Sequence, residues 1–399
     1  MYLYKDRVRI LPLGMVDDIL AVSRCGHESV ALNTYLTTQI EMKKLRFHVP
    51  DAKGKTKCHQ IHVGKPSTLC PELLIHGYPM EKVNQDTYLG DIISFDASNS
   101  LNIKDRVGKG VGIMSDILND LESVSFGFDY FRIFKIFREA RFINGTLTNA
   151  DIWYGLDSNS LKELEDLDRL MIRKVLKCPF STPTEAEHLE LRFLPLHCLV
   201  KERRMNYFHY ILKGDPNKML HKFLVAQWEN EVKNDWTQTI KEDFSNLNLK
   251  CDLKRIQGMS KLAFKKMLKI KIKEYALDKL NASKFKHTKM DDLVYTDLEM
   301  QDYLVSGELS TEQKRIIFHY RTRMALYSEN YKQNEVAKPC QICRMHTDSQ
   351  AHSVVCNETM KLVKTRGNYF EIFTNNISSP TAKILEEIVN IREKQAEPS

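Results

Sequence analysis

The sequence predicts an α+β fold: a small antiparallel β region at the N-terminus, a mostly α-helical body behind it, and a short Cys/His metal-binding turn. Three observations carry this. Short apolar runs punctuated by Pro and Gly crowd the first 97 residues and read as strands. Beyond Phe95 the apolar positions switch to helical spacing. Near the C-terminus, Cys340, Cys343, His352 and Cys356 stand in the spacing C-x2-C-x8-H-x3-C.

A chain of 399 residues is long enough for two or three domains with a sizeable core. Charged residues make up 28% and the mean hydropathy is -0.40. No apolar run reaches the ~20 residues of a membrane span, so a soluble chain with no membrane partner is expected. The opening MYLYKDRVRI is charged and unlike a secretory signal. Nine cysteines, an odd number, point to a reducing intracellular compartment, cytoplasm or nucleus, where a cysteine cluster binds metal instead of forming disulfides. The net charge of +7 permits a polyanionic partner without requiring one.

In the first region, Val8–Leu11 and Ile19–Val22 read as the arms of a hairpin with Asp17 and Asp18 at its tip. Side chains alternate along a strand, so only one of the two carboxylates can face a given site. Adjacent carboxylates repel each other unless a divalent cation neutralises them, and Mg2+ suits that role. A plain surface turn is the alternative, since turns favour Asp. Glu28–Leu45 follows as a helix with Leu32, Leu36 and Ile40 on one face, then a polar loop over Pro50–Lys57 and a strand over Gln60–Val63. A hairpin of Leu73–Ile75 and Met80–Val83 around His76-Gly77 comes next, and then a strand, Tyr88–Ile93, broken by Gly90.

Helices dominate the remainder. Ser160–Val175 has Ser160 and Glu163 in capping-box spacing and an apolar stripe of Leu161, Leu164, Leu167, Met171 and Val175, with Pro179 beyond its end. A second start places Thr182 as cap, Pro183 at the first helical position and Glu185 behind it. Leu196–Lys213 is a third helix, stopped by Gly214. Its Arg203 and Arg204 either reach phosphates or form its solvated face. Gln227–Phe244 is mixed in charge, with Trp228 and Trp236 on nearly one face as core residues. Lys261–Lys289 is lysine-dense and fits an amphipathic helix or, at Lys269–Lys273, a two-residue alternation. Its charges form a solvated face or a nucleic-acid contact. Arg315–Tyr331 interleaves Arg315, Arg321 and Arg323 with Phe318, Tyr320, Tyr327 and Tyr331. That mixture suits nucleic acid, and equally an ordinary helix with its aromatics in the core. Thr381–Glu393 is the last helix.

The Cys/His spacing has a direct chemical reading. Zinc takes four thiolate or imidazole ligands in a tetrahedron, and a tight C-x2-C turn plus His352 and Cys356 four residues apart supply them. His346 competes for the histidine position but would crowd Cys343, so His352 is preferred. The segment is too short for its own core, which makes the metal structural.

LGMVDDIL, TKCHQIHVG and TYLGDIIS resemble three successive palm motifs of the reverse transcriptases of non-LTR retrotransposons. NADIWYGLDSNSLKELEDLDRLMIRKVL and TPTEAEHLELRFLPLHCLVKERRMNYFHYIL resemble the thumb that follows. RTRMALYSENYKQNEVAKPCQICRMHTDSQAHSVVC resembles the arginine helix and zinc knuckle that close these proteins. The resemblance covers Val8–Lys213 and Arg315–Cys356. It implies a partial palm over 1–97, a helical thumb over 98–213, a basic helical connector over 214–330, a CCHC zinc knuckle over 331–360, and a C-terminal helix and tail over 361–399. It further implies Asp17 and Asp18 as Mg2+ ligands, Lys57 near the incoming nucleotide, and Tyr88, Leu89 and Gly90 as support for the primer end. RNA template and DNA primer would be the partners.

Such enzymes join nucleotides with two cations ~4 Å apart, which needs carboxylates from different strands. Met15-Val16 departs from the aromatic and small residues common before the aspartates. Only sixteen residues precede Asp17, so the family's other essential aspartate and its fingers are expected to be missing. The expectation is an N-terminally truncated RNA-directed DNA polymerase that does not polymerise. The alternative is a retrotransposon-derived RNA- or DNA-binding protein without catalysis.

Overall fold

The computed structural model describes residues 59–61, 72–75, 78–88, 90–123, 127–156, 159, 161–230, 235–284, 290, 293, 295–330, 338–374 and 377–396, together with the backbone of four short strands before them. Strands β1 (Tyr2–Leu3) and β2 (Val8–Arg9) pair antiparallel, as do β3 (Leu13–Met15) and β4 (Asp18–Leu20). Met15 faces Asp18 across a two-residue connection, so the arms lie closer to the acidic pair than expected. Val8–Arg9 pairs backward onto Tyr2–Leu3 instead of across to Ile19–Val22. A two-residue connection is the usual link between antiparallel strands and carries little closure entropy. The expected helix Glu28–Leu45 lies outside the described residues.

Strand β6 (Leu74–Ile75) forms a hairpin around 76–77, but its partner is β7 (Tyr78–Pro79) and not the expected Met80–Val83, whose β8 (Glu81–Lys82) runs parallel to β5 (His59–Gln60) instead. Strands β9 (Gln85–Tyr88) and β10 (Asp91–Ser94) pair antiparallel with Tyr88 opposite Asp91. The expected strand Tyr88–Ile93, broken by Gly90, is therefore the two facing ends of an antiparallel pair. Gly90 at φ +84° reverses the chain between them, a conformation that residues with a Cβ rarely adopt. Every sheet among the described residues is two-stranded, and β3–β4 shares none with β9–β10. The described strands thus do not form a continuous palm sheet.

Helix α1 (Ser100–Ser123) anchors β10 to the body. Asn102 donates to the carbonyl of Ile92 and accepts from its N–H, while Arg106 donates to the carbonyl of Gly90. Next come α2 (Tyr130–Phe137), a π-helical segment (Arg138–Ile143), α3 (Lys162–Leu176), α4 (Thr184–Leu191) and α5 (Leu196–Leu212). The predicted stripe of α3 is buried throughout. Its N-cap is Leu161 without a side-chain bond, and Ser160 lies outside the described residues. Lys177 at φ +51° ends it, with the N–H groups of Lys177 and Cys178 turned back onto its last carbonyls. Helix α4 starts one residue later than expected: Pro183 takes the cap position and Thr182 instead gives its carbonyl to Arg173.

Gln227–Phe244 divides between α6 (Met219–Asn230) and α7 (Trp236–Asn246), the latter capped by Asp235 accepting from the Gln238 N–H at 2.7 Å. After α8 (Leu253–Gly258), the lysine-rich run forms one helix, α9 (Lys261–Lys284), so the two-residue alternation is not adopted. Its buried residues Phe264, Leu268, Ile272, Ala276 and Leu280 recur every fourth position, which only a helix brings to one face. Then follow α10 (Asp302–Val305), α11 (Thr311–Arg321), α12 (Gln350–Ser353), α13 (Asn357–Leu362) and α14 (Ser379–Ala396). No helix among the described residues is long and apolar enough to cross a membrane.

Two apolar cores result. One joins α1–α3 to α11 and α14, and the other gathers α4–α9. A buried polar network ties them. Glu190 on α4 accepts from the hydroxyls of Tyr295 and Tyr303 and from Arg321 Nε on α11 at 2.9 Å. Nearby, Arg138 and Asp168 form a second buried pair, and Arg138 also donates to the carbonyl of Leu194.

Candidate metal centre

Cys340, Cys343, His352 and Cys356 come together with one ligand atom from each within 4.8 Å of the others. Local backbone geometry places them. Pro339 bridges Thr347 antiparallel, the Cys340 N–H donates to the carbonyl of His346, and the Arg344 N–H donates to the carbonyl of Cys340. Arg344 at φ +57° closes this turn. Ser349 caps α12 by accepting from the N–H of His352, which aims the imidazole at the turn. Cys356 is the cap residue of α13.

The donor set fits a tetrahedral metal. Bonds of about 2.3 Å to sulfur space tetrahedral ligands about 3.8 Å apart, so only a slight contraction closes the group on zinc. His352 Nε2 already lies 3.2 Å from Cys343 Sγ. Backbone N–H groups of Met345 and His346, with His352 and Cys340 beside them, draw the Cys343 thiol down to about 6. Burial pushes Cys340 up. One sulfur is therefore a ready thiolate at neutral pH, and a cation must stabilise the others in that form. This group can hold a metal such as zinc. His346 is outside it: its ring stands 4.9 Å from that of His352, and its carbonyl serves the turn.

The turn is bolted to the helical body. Asp348, between the second and third ligands, accepts from Arg392 on α14 at 2.7 and 3.1 Å and from the Ser328 N–H at 3.0 Å. The Arg392 guanidinium lies 4.1 Å from the centre of the Tyr327 ring. Gln350 donates to the carbonyl of Tyr320 and to the hydroxyl of Tyr369. Sequence reasoning passed over Asp348, Gln350 and Arg392, because each is an ordinary polar residue until the fold pairs it across 19 to 44 positions.

Several other predicted site residues lie elsewhere. Asp17, Lys57 and Leu89 fall outside the described residues, and Asp18 is known only as the first backbone position of β4. Tyr88 and Gly90 sit at the β9–β10 turn against α1. The arginines offered as phosphate contacts are mostly turned inward, which corrects their expected placement. Arg204, 4% exposed, donates to Asp243 and to the carbonyl of Trp153. Arg321, 2% exposed, is held by Glu190 and donates to the carbonyls of Ile372 and Thr374. Arg315 donates to the carbonyl of Val175 and lies over the Tyr130 ring. Arg203 satisfies the carbonyl of Leu147 and the side chain of Asn144, at the end of the π-helical segment. Arg323 ends α11 with φ +51°. The aromatics Phe318, Tyr320 and Tyr327 are buried, so the core reading of this stretch holds for them.

No protein-family model, no curated protein and no solved structure matches the chain.

Proposed function

We propose that the chain derives from an RNA-directed DNA polymerase of the non-LTR retrotransposon type and works as a nucleic-acid-binding protein whose C-terminal module is held by structural zinc. The observation that carries this reading is the Cys340–Cys343–His352–Cys356 group, joined rigidly to a helical body at the position where the sequence resemblance puts a knuckle. In this reading zinc supplies only cross-linking: it fixes the turn over 338–356, which has too little apolar surface to fold alone. The chain's own residues do the rest, with Asp348, Gln350 and Arg392 setting the module's orientation on the body.

The test uses the purified full chain. It is expected to carry one zinc per molecule by elemental analysis, to lose it in Cys356→Ser, and to bind an RNA–DNA hybrid with strong salt dependence. No primer extension is expected with Mg2+. A metal-free chain without affinity for any nucleic acid at low salt would defeat the proposal. Incorporation of nucleotides that Asp17→Asn abolishes would replace the binding function with an enzymatic one.

A further inference from the structure

The chain's positive charge is not spread evenly. Residues 250–273 hold nine cationic side chains, eight lysines and Arg255, against one anionic residue, Asp252. That is +8, compared with +7 for the whole chain, so the other 375 residues together are net −1. The fold keeps this charge on the outside. Helix α9 turns Phe264, Leu268 and Ile272 into the core and leaves Lys261, Lys265, Lys266 and Lys269 exposed, with Lys254 and Arg255 exposed on α8.

Internal partners account for only two of these lysines. Lys271 pairs with Glu274 and Lys273 with Glu299, whereas no ion pair among the described residues takes Lys261, Lys265, Lys266 or Lys269. Lys265 and Lys269 act electrostatically on Glu202, whose carboxyl burial raises despite them. Like charges held on one helix without counter-ions repel each other, and the repulsion is relieved when a polyanion approaches.

We infer that the exposed face of α8 and the first half of α9 is a docking surface for the phosphate backbone of a nucleic acid, engaged without reading sequence. Lysine favours this over base readout, because its ammonium is a point charge without the planar fork that matches guanine. Rows four residues apart on a helix repeat about every 6 Å, so one run of lysines can follow one strand of phosphates. An anionic membrane fits less well. A helix that lies in the membrane interface must bury a continuous apolar face there, and that face of α9 is spent on the core, which leaves only Leu262 and Ile270 as exposed large apolar side chains on this helix. The class of partner rests on the function proposed above. The location of the surface rests on the charge count and exposure alone.

The experiment measures binding of the zinc-loaded full chain to a short RNA–DNA hybrid by fluorescence anisotropy over a KCl series. Two quadruple variants of equal charge are compared: K261Q/K265Q/K266Q/K269Q, and a control on exposed lysines elsewhere, K104Q/K174Q/K222Q/K383Q. Each phosphate contact adds about 0.9 to the slope of log affinity against log salt. The α9 variant should therefore lower the slope by about 3 to 4, and the control by less than about 1. Circular dichroism should show both variants folded, since every altered side chain is exposed. Equal changes in the two variants, or an unchanged slope in the α9 variant, would overturn the surface while leaving the proposed function standing. Absence of wild-type binding to any nucleic acid would overturn both. Binding to anionic vesicles alone, lost in the α9 variant, would overturn the inference in favour of a membrane.

Discussion

Replacing Arg321 by Met separates two roles for this arginine, a phosphate contact and a structural cross-brace. Glu190 is fully buried, with its carboxylate held by two tyrosine hydroxyls and by Arg321 Nε at 2.9 and 3.1 Å. The charged partners also perturb the phenols: burial first, then the Glu190 charge, raises Tyr295 and Tyr303 well above their ordinary values, so both stay protonated donors. Taking the guanidinium away leaves a buried anion without a counter-ion, at a cost of about 3–5 kcal/mol. The carbonyls of Ile372 and Thr374 lose a donor as well, each worth about 1 kcal/mol. Arg321→Met should thus lower the folding equilibrium by about four to five orders of magnitude. The double variant Glu190→Gln/Arg321→Met removes both charges while keeping an acceptor for the tyrosines. It should recover more than half of the loss, because neutral replacement of a buried pair costs little. Urea unfolding followed by tryptophan fluorescence measures each step. If Arg321→Met keeps the wild-type midpoint but abolishes nucleic-acid binding, Arg321 faces a ligand and the network reasoning is wrong.

Three further outcomes follow from particular contacts. Arg392→Met leaves Asp348 buried without its partner, so the chain should lose about 3 kcal/mol and surrender zinc faster to a chromogenic chelator; unchanged release would show that the module is not coupled to α14. A Cβ on Gly110 would lie 2.8 Å from Leu167 and 2.9 Å from Thr146, whereas one on Gly112 meets nothing within 4 Å. Gly110→Leu should therefore destabilise by more than about 1–3 kcal/mol and Gly112→Ala stabilise by about 0.5–1 kcal/mol, which thermal melts would check. Burial pushes Glu187 up to about 7 against the pull of Arg173, so the folded chain holds a proton that the unfolded chain releases above its ordinary 4.5. This contribution is complete below about 4.5 and lost as pH rises to about 7, a fall of about 3 kcal/mol that Glu187→Gln should flatten in urea midpoints taken from pH 5 to 8.

The sequence exposed the helical body well, because an amphipathic stripe is a local pattern. The extents of α5 and the buried stripe of α3 match their periodicity closely, and the four metal ligands were readable from spacing alone. Boundaries fared worse wherever a tertiary partner decided them. Thr182 has the residue type of a cap, yet its carbonyl is taken by Arg173 and the helix starts beyond it. The Ser310–Gln313 capping box of α11 was legible as S-x-x-Q and was passed over amid the arginines that follow it. Those arginines illustrate the harder failure. A guanidinium on an amphipathic helix looks identical in sequence whether it meets phosphate or a buried carboxylate more than a hundred residues away, as Glu190 does for Arg321. Only the fold distinguishes the two.

That distinction bears on which charges remain for a polyanion. Arg203, Arg204, Arg315 and Arg321 give their donors to carbonyls, to Asn144 and to carboxylates within the chain, and each such bond would have to break before the group met a phosphate. Lys261, Lys265, Lys266 and Lys269 of α9 have nothing comparable to lose, since all four are exposed and their solvated ammonium groups exchange only water and salt ions. Binding through them would need no rearrangement of the core, whereas binding through the arginines would leave Glu190 without its counter-ion and take from Asp243 one of its two cationic partners, Lys201 being the other. A nucleic acid meeting this protein should accordingly meet lysine first, and the affinity should track ionic strength far more closely than base sequence.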